Sequence, residues 1–99
     1  MPRELPLPHP GVVLMEEFLE PMEISVYEAA NAMGVARSQL NEICRGNGRI
    51  TAGMALRLGK YLGVDPRWFM NMQAKYDLEQ SNEELADALA AIEPVRHAA

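Results

Sequence analysis

The sequence has little of what disulfide-bonded, metal-binding or membrane-spanning proteins require. Its 99 residues contain one cysteine, Cys44, so no disulfide can form within the chain and a cytosolic protein is indicated. Its two histidines, His9 and His97, stand near the termini and do not have the spacing of metal ligands with Cys44. No apolar run approaches a membrane span, and the first residues, MPRELPLPHPG, lack the apolar centre of a signal peptide. We therefore expect a cytoplasmic protein that binds no metal, cofactor or membrane.

Catalytic motifs are also missing. The chain has no Gly-rich phosphate loop, nucleophile elbow or metalloprotease motif. A catalytic thiol at Cys44 would need a nearby base, and the position beside Ile43 better fits a half-buried core residue. No strand pattern or internal repeat is present, and the aromatic residues amount to one Trp, three Tyr and two Phe. We expect one small all-α domain, packed mainly by aliphatic and Met side chains, that is not an enzyme.

The acidic net charge of −5 conceals a basic middle third. Residues 35–73 carry six basic and two acidic side chains, which gives +4, whereas residues 1–34 carry −5 and residues 74–99 carry −4. Phosphate binding depends on a local basic face and not on the net charge. The distribution favours nucleic-acid binding by the middle third, with chance segregation of charge on solvated helices as the alternative.

The stretch from Val26 to Arg45 predicts two short helices joined by a turn. Gly34 lies between them, where a helix that ends in the left-handed region favours a residue without Cβ. This is the helix-turn-helix arrangement, whose second helix presents its side chains to the DNA major groove. An ordinary helical hairpin is the alternative. The apolar positions that recur at helical spacing are Ala29, Ala30 and Met33 on the first helix and Leu40 and Ile43 on the second.

The polar positions of this unit are the predicted DNA contacts. The loop GNGR after the second helix has glycines that allow close backbone approach to a phosphate, with an arginine on either side. A plain turn is the alternative interpretation of this loop. The predicted base-reading residues are Arg37, Ser38, Gln39, Asn41 and Glu42. The predicted phosphate contacts are Ser25, Arg45, Asn47, Gly48, Arg49 and Thr51.

Caps and breakers predict the remaining helices. A first helix over Gly11–Glu20 ends at Pro21, and its predicted apolar face is Val12, Met15, Phe18 and Leu19. N-caps are predicted at Ser25, with Glu28 in a capping box, and at Thr51 and Asp65, and Gly63 is predicted to end the fourth helix. Ser81 and Glu84 predict a further capping box, which opens a last helix that carries Leu85, Leu89 and Ile92 and ends at Pro94. We divide the chain into a Pro-rich arm (1–10), a helix-turn-helix DNA-binding domain (11–80), and a C-terminal helix with a disordered tail (81–99).

Two further motifs carry a family resemblance. The pattern HPGxxLxEEFLEPM over His9–Met22 resembles the opening of HigA-type antitoxins, within the Xre family of helix-turn-helix regulators. The stretch ITAGMALRLGKYLGVDPRWFMNMQAKYDL over Ile50–Leu78 resembles the fourth and fifth helices of that family. Departures occur in the second helix: Val26 stands where many relatives have a polar residue, and Glu28 and Asn31 stand where basic residues are common.

This resemblance implies a fold and a function. The fold would be all-α, a five-helix Xre/repressor-like helix-turn-helix domain, to which the chain adds an extra C-terminal helix after Leu78 that the resemblance does not cover. The function would be that of a homodimeric antitoxin that represses its own operon and neutralises a basic RelE-like ribonuclease toxin of the HigB type. Because one recognition helix buries too little surface for tight specific binding, we expect the operator to be an inverted repeat. The acidic flanks of the chain would complement such a toxin. The alternatives are a stand-alone Xre-family regulator without a toxin and a purely protein-binding helical module. We expect the dimer interface at Trp68, Phe69 and Met72 of the fifth helix, or at the last helix.

Overall fold

The structure is a computed structural model that describes residues 6–96. The first half of the predicted arm (residues 1–5) and His97 lie outside the described residues. Within them the chain is helical and has no strand, which confirms the all-α helix-turn-helix class with an added C-terminal helix. The helices are α1 (Pro10–Leu14, continued by a π-helical turn over Met15–Leu19), α2 (Val26–Met33), α3 (Arg37–Cys44), α4 (Ala52–Leu62), α5 (Pro66–Glu84) and α6 (Ala86–Ala90).

The first helix differs from the predicted regular α-helix in its second half. The amide of Glu20 donates to the carbonyl oxygen of Met15, five residues back, which is the hydrogen bond of a π-turn. A wider turn brings side chains five residues apart towards one face, and Leu14 and Leu19 are both fully buried. Leu14 was not on the predicted face. Of that face only Leu19 is fully buried, while Val12, Met15 and Phe18 are half-buried.

The predicted caps of the middle helices are confirmed. The hydroxyl of Ser25 accepts the amide of Glu28 at 3.0 Å in a capping box, and the hydroxyl of Thr51 accepts the amide of Met54 at 3.3 Å. The carboxylate of Asp65 accepts the amide of Arg67 at 2.9 Å, with proline at the first helical position. The left-handed glycines that end α2 and α4 are Gly34 (φ 68°) and Gly63 (φ 73°).

One hydrophobic core joins these helices. Helix α1 packs on α3 and α5, α2 packs on α3 and α4, and α4 lies along α5. Phe69 is the largest fully buried side chain, and the aromatic rings of Phe18 and Trp68 lie against it. The buried apolar residues are Leu14, Leu19, Ala29, Ala30, Met33, Leu40, Ile43, Cys44, Ile50, Met54, Ala55, Leu58 and Phe69.

The capping box predicted at Ser81 and Glu84 is wrong. Helix α5 continues through both residues to Glu84, because no proline or glycine interrupts the chain between Pro66 and Pro94. The break comes at Leu85, and the short α6 that follows has no buried residue. No helix in residues 6–96 combines the length and apolar composition needed to cross a membrane.

Candidate DNA interface

Helix α3 is held by its apolar side and offers its polar side to solvent. Leu40 and Ile43 are buried, as predicted. A close crossing fixes α3 against α1, since a Cβ on Gly11 would lie 1.7 Å from the carbonyl oxygen of Ile43. The structure places all the predicted base-reading side chains on the exposed side of α3: Arg37, Ser38, Gln39, Asn41 and Glu42.

The first residue of α3 contacts α2 through an aromatic ring. The guanidinium carbon of Arg37 lies 5.5 Å from the ring centroid of Tyr27, which is within the range of a cation–π interaction. Tyr27 was missed by sequence reasoning. The signal that could have found it is a large aromatic residue in the first turn of α2, outside the apolar stripe of Ala29, Ala30 and Met33.

The loop after α3 is folded back on its helix. The amides of Asn47 and Gly48 both donate to the carbonyl oxygen of Glu42, at 2.9 and 3.1 Å. A Cβ on Gly48 would lie 3.2 Å from a side-chain carbon of Ile43, so close packing accounts for this glycine. Gly48 remains a predicted phosphate contact, but its amide already has a partner inside the loop.

Arg49 is drawn away from the loop towards α5. Its guanidinium pairs with the carboxylate of Asp77 at 2.8 Å, and Asp77 accepts a hydrogen bond from the side-chain amide of Gln73 at 3.0 Å. The carbonyl oxygen of buried Gln73 accepts the amide of Ile50 at 2.8 Å. These contacts of Arg49, Gln73 and Asp77 therefore hold the segment before α4 against α5. Arg49 remains a predicted phosphate contact, but the ion pair competes with that role.

The remaining predicted phosphate contacts lie at the C-terminal end of α3, in the loop that follows it, and at the N-caps of α2 and α4. Arg45 and Asn47 are exposed, and Arg45 has only a loose ion pair with Glu42 at 3.9 Å. Ser25 and Thr51 are exposed N-caps whose hydroxyl oxygens already accept an amide. The Ser25 hydroxyl also lies 3.3 Å from the carboxylate of Glu28. Arg45 and Asn47 are thus the predicted phosphate contacts with the fewest competing interactions.

His9 connects the start of α1 with the loop after α3. Its Nδ1 accepts the amide of Gly11 at 2.9 Å as the N-cap of α1, and its ring lies edge-on to Tyr76 at 5.0 Å between centroids. Burial lowers the pKa of His9 below its ordinary value, against the opposing effects of a hydrogen bond with the backbone of Gly48 and the charge of Asp77. The neutral ring therefore joins the start of α1 to the loop.

The helix-turn-helix family model matches residues 15–69, more than half of the chain. This chain belongs to the helix-turn-helix family. The virulence-associated protein I of Dichelobacter nodosus is 44% identical over 81 residues, which are 82% of this chain and 75% of that protein. Antitoxin HigA-1 of Vibrio cholerae is 34% identical over 85 residues, which are 86% of this chain and 80% of that protein. A solved structure titled "antitoxin GraA in complex with its operator" is 32% identical, with a TM-score of 0.88 over 98% of this chain and 99% of that one.

These relatives confirm the resemblance of this helix-turn-helix protein to HigA-type antitoxins. Two of them are named as antitoxins, and one of these is solved with its operator. Together with the helix-turn-helix family model, this confirms the expectation that the chain is not an enzyme. The thiol of Cys44 agrees with this, because burial raises its pKa to about 11 and keeps it protonated at neutral pH. Residues 6–96 bring no three potential metal-ligating side chains together.

The predicted dimer residues of this helix-turn-helix protein divide between surface and core. Phe69 is fully buried within the protomer, so its side chain cannot contact a partner and its assignment to the interface needs correction. Trp68 is 44% exposed and Met72 is half-buried. These two line a surface depression together with Leu7, Pro8, Asn71 and Lys75. The interface prediction therefore remains for Trp68 and Met72.

Proposed function

We propose that this chain is the antitoxin of a HigBA-type toxin–antitoxin system. In this proposal it acts in the cytoplasm as a homodimer that represses its own operon and also neutralises a RelE-like ribonuclease toxin. The observation that carries the DNA-binding part is the exposed polar face of α3, held in place by the close crossing of Gly11 and Ile43. The likeness to the operator-bound structure of GraA supports the same role for this face.

The proposed dimer binds an inverted repeat. Two recognition helices related by a two-fold axis and about 34 Å apart would enter successive major grooves on one side of B-DNA. One short helix buries too little surface for tight specific binding, so a second copy is needed. Trp68 and Met72 are the proposed interface residues on α5, within the proposed DNA-binding unit of residues 11–80. Residues 81–99 are a proposed added segment for partner contact, and in its described part Leu85, Leu89 and Ile92 are exposed.

The toxin partner is proposed from charge as well as family. A ribonuclease must hold an anionic RNA and is therefore basic near its site, and the acidic flanks of this chain offer complementary charge. We expect the product of a short basic reading frame beside this gene to co-elute with the chain. We also expect the chain to relieve that product's toxicity when the two are expressed together.

The Arg37→Ala variant is the matched control for neutralisation. It should still relieve toxicity, because it changes the face of α3 and leaves the acidic flanks intact. Failure of the neighbouring product to co-elute, with no relief of toxicity by the wild-type chain, would contradict the antitoxin role and leave a stand-alone regulator.

The arginines at the two ends of α3 should affect DNA binding differently. Arg37 lies in the first turn, from which a guanidinium can form a bidentate contact with guanine O6 and N7. We expect Arg37→Ala to cost about 1–3 kcal/mol of binding free energy on the operator and much less on scrambled DNA. Arg45→Ala should weaken binding to both DNAs about equally and lower the salt slope by about 0.9 for each phosphate that the variant no longer neutralises.

A salt titration of both variants on both DNAs measures this difference. Arg45 serves as the control because it is exposed and its ion pair with Glu42 is loose. Arg49→Ala would be less informative, since it also removes the partner of Asp77. An equal loss on operator and scrambled DNA for Arg37→Ala would show that Arg37 contacts only phosphate. Base readout would then fall to Ser38, Gln39, Asn41 or Glu42.

A further inference from the structure

We propose that Tyr27, on the supporting helix α2, positions the guanidinium of Arg37 for base readout and thereby contributes to operator specificity. This inference rests on the proposed function, in which Arg37 reads a base edge. It adds a residue outside the recognition helix to the set that determines specificity. The observation that carries it is the contact between the Arg37 guanidinium and the Tyr27 ring, at 5.5 Å from the ring centroid.

Folding alone does not account for the position of Tyr27. Its side chain is 56% exposed in the first turn of α2, and it does not belong to the hydrophobic core. The hydrogen bonds that begin α2 are supplied by Ser25 and Glu28, so the ring of Tyr27 is not needed to cap the helix. A large exposed aromatic side chain beside the predicted DNA-binding face is therefore available for a role in binding.

In the described part of the chain, the Arg37 guanidinium interacts with the ring of Tyr27. No carboxylate in the described part of the chain forms an ion pair with Arg37. A ring face attracts a guanidinium without directing it to one acceptor, and Arg stacks readily on aromatic rings. Tyr27 can therefore restrict where the guanidinium lies while leaving its hydrogen-bond donors unpaired.

The two interactions do not compete for one hydrogen-bond partner. The cation–π contact with Tyr27 is an electrostatic attraction that uses no hydrogen-bond acceptor, whereas a bidentate contact to guanine uses two N–H groups of the guanidinium. The contact with Tyr27 is thus compatible with simultaneous binding of a base. A free arginine loses the freedom of several side-chain torsions when it binds. Because the Tyr27 ring already holds the guanidinium in the free protein, less side-chain freedom is lost on binding. The gain in binding free energy is expected only where the guanidinium contacts its correct base.

The test compares Tyr27→Phe with Tyr27→Leu on a duplex from the region upstream of the gene and on a scrambled duplex. Phe keeps the ring face and removes only the hydroxyl, so Tyr27→Phe should bind like the wild type. Tyr27→Leu should lose about two- to fivefold in operator affinity for each recognition helix that binds. It should lose almost nothing on scrambled DNA. In an Arg37→Ala background, Tyr27→Leu should have no further effect.

Each other outcome overturns the inference in a recognisable way. If Tyr27→Phe is as weak as Tyr27→Leu on both duplexes, the hydroxyl contacts phosphate and the ring does not position Arg37. If Tyr27→Leu loses the same amount with and without Arg37, the two residues act independently. A wild-type chain that binds both duplexes alike would instead contradict the proposed function itself. Thermal melting of each variant, expected to be unchanged because Tyr27 is exposed, excludes a folding defect.

Discussion

Gly11→Ala is expected to destabilise the protein by roughly 3 kcal/mol, at the upper end of the cost of overpacking. The new methyl carbon would lie 1.7 Å from the carbonyl oxygen and 2.4 Å from the carbonyl carbon of Ile43. Because both atoms belong to the backbone of α3, no rotation of a side chain can relieve the clash, and α1 must move away from α3. Urea denaturation measures the loss, and operator binding should weaken as well because the same shift moves α3.

Gly53→Ala is the matched control for this substitution. Gly53 lies near the start of α4, and no atom comes within 4 Å of the position that its Cβ would take. Alanine there should be neutral or stabilise by up to about 1 kcal/mol, since alanine forms helix more readily than glycine. If Gly11→Ala unfolds at the same urea concentration as the wild type, the close crossing of α1 and α3 at Gly11 and Ile43 is contradicted.

The features that the sequence predicts well are those that depend on neighbouring residues. The N-caps at Ser25, Thr51 and Asp65 need only a short polar side chain beside a free amide two or three residues ahead. The left-handed ends at Gly34 and Gly63 need only a residue without Cβ. Each of these interactions closes within one turn of helix, so spacing along the chain was sufficient to locate it.

The features that the sequence does not predict join residues far apart in the chain. Arg49 meets Asp77 and Arg37 meets Tyr27, and nothing in the local sequence indicates either partner. For the candidate interface, spacing on α3 predicts which side chains are exposed. It does not predict that Asp77 competes with phosphate for Arg49, because that competition depends on the packing of α5 beside the loop.

Helix α5 shows how a local signal can be overridden. Ser81 followed by Glu84 has the residues of a capping box, yet neither starts a helix here. A capping box stabilises a helix start only where the preceding chain has left the helix, and no breaker precedes Ser81 after Pro66. In contrast, Gln73 is a polar residue whose burial had no local signal, because the amide of Ile50 that it accepts lies 23 residues away along the chain.

Phe69→Ala is expected to cost about 3–5 kcal/mol of unfolding free energy, the cost of removing a fully buried aromatic side chain. Phe69 lies 5.0 Å from Trp68 and 5.9 Å from Phe18 between ring centroids, so its loss leaves a cavity where α1 and α5 meet. The cavity belongs to one protomer. The loss of stability should therefore be the same at every protein concentration at which urea denaturation is measured.

Trp68→Ala is the matched comparison at the neighbouring position. Trp68 is 44% exposed and contacts the rings of Phe69 and Phe18 edge-on, at 5.0 and 5.5 Å between centroids. We expect a loss of about 1 kcal/mol for each of these aromatic contacts within the protomer. Because a dimer gains stability with concentration, a Trp68 at the interface should also make the variant's denaturation midpoint depend less on concentration. Light scattering should then show Trp68→Ala dissociating at a higher concentration than the wild type. If Trp68→Ala and Phe69→Ala instead lose stability equally at all concentrations, Trp68 belongs to the core, and Met72 and α6 become the remaining candidates for the dimer interface.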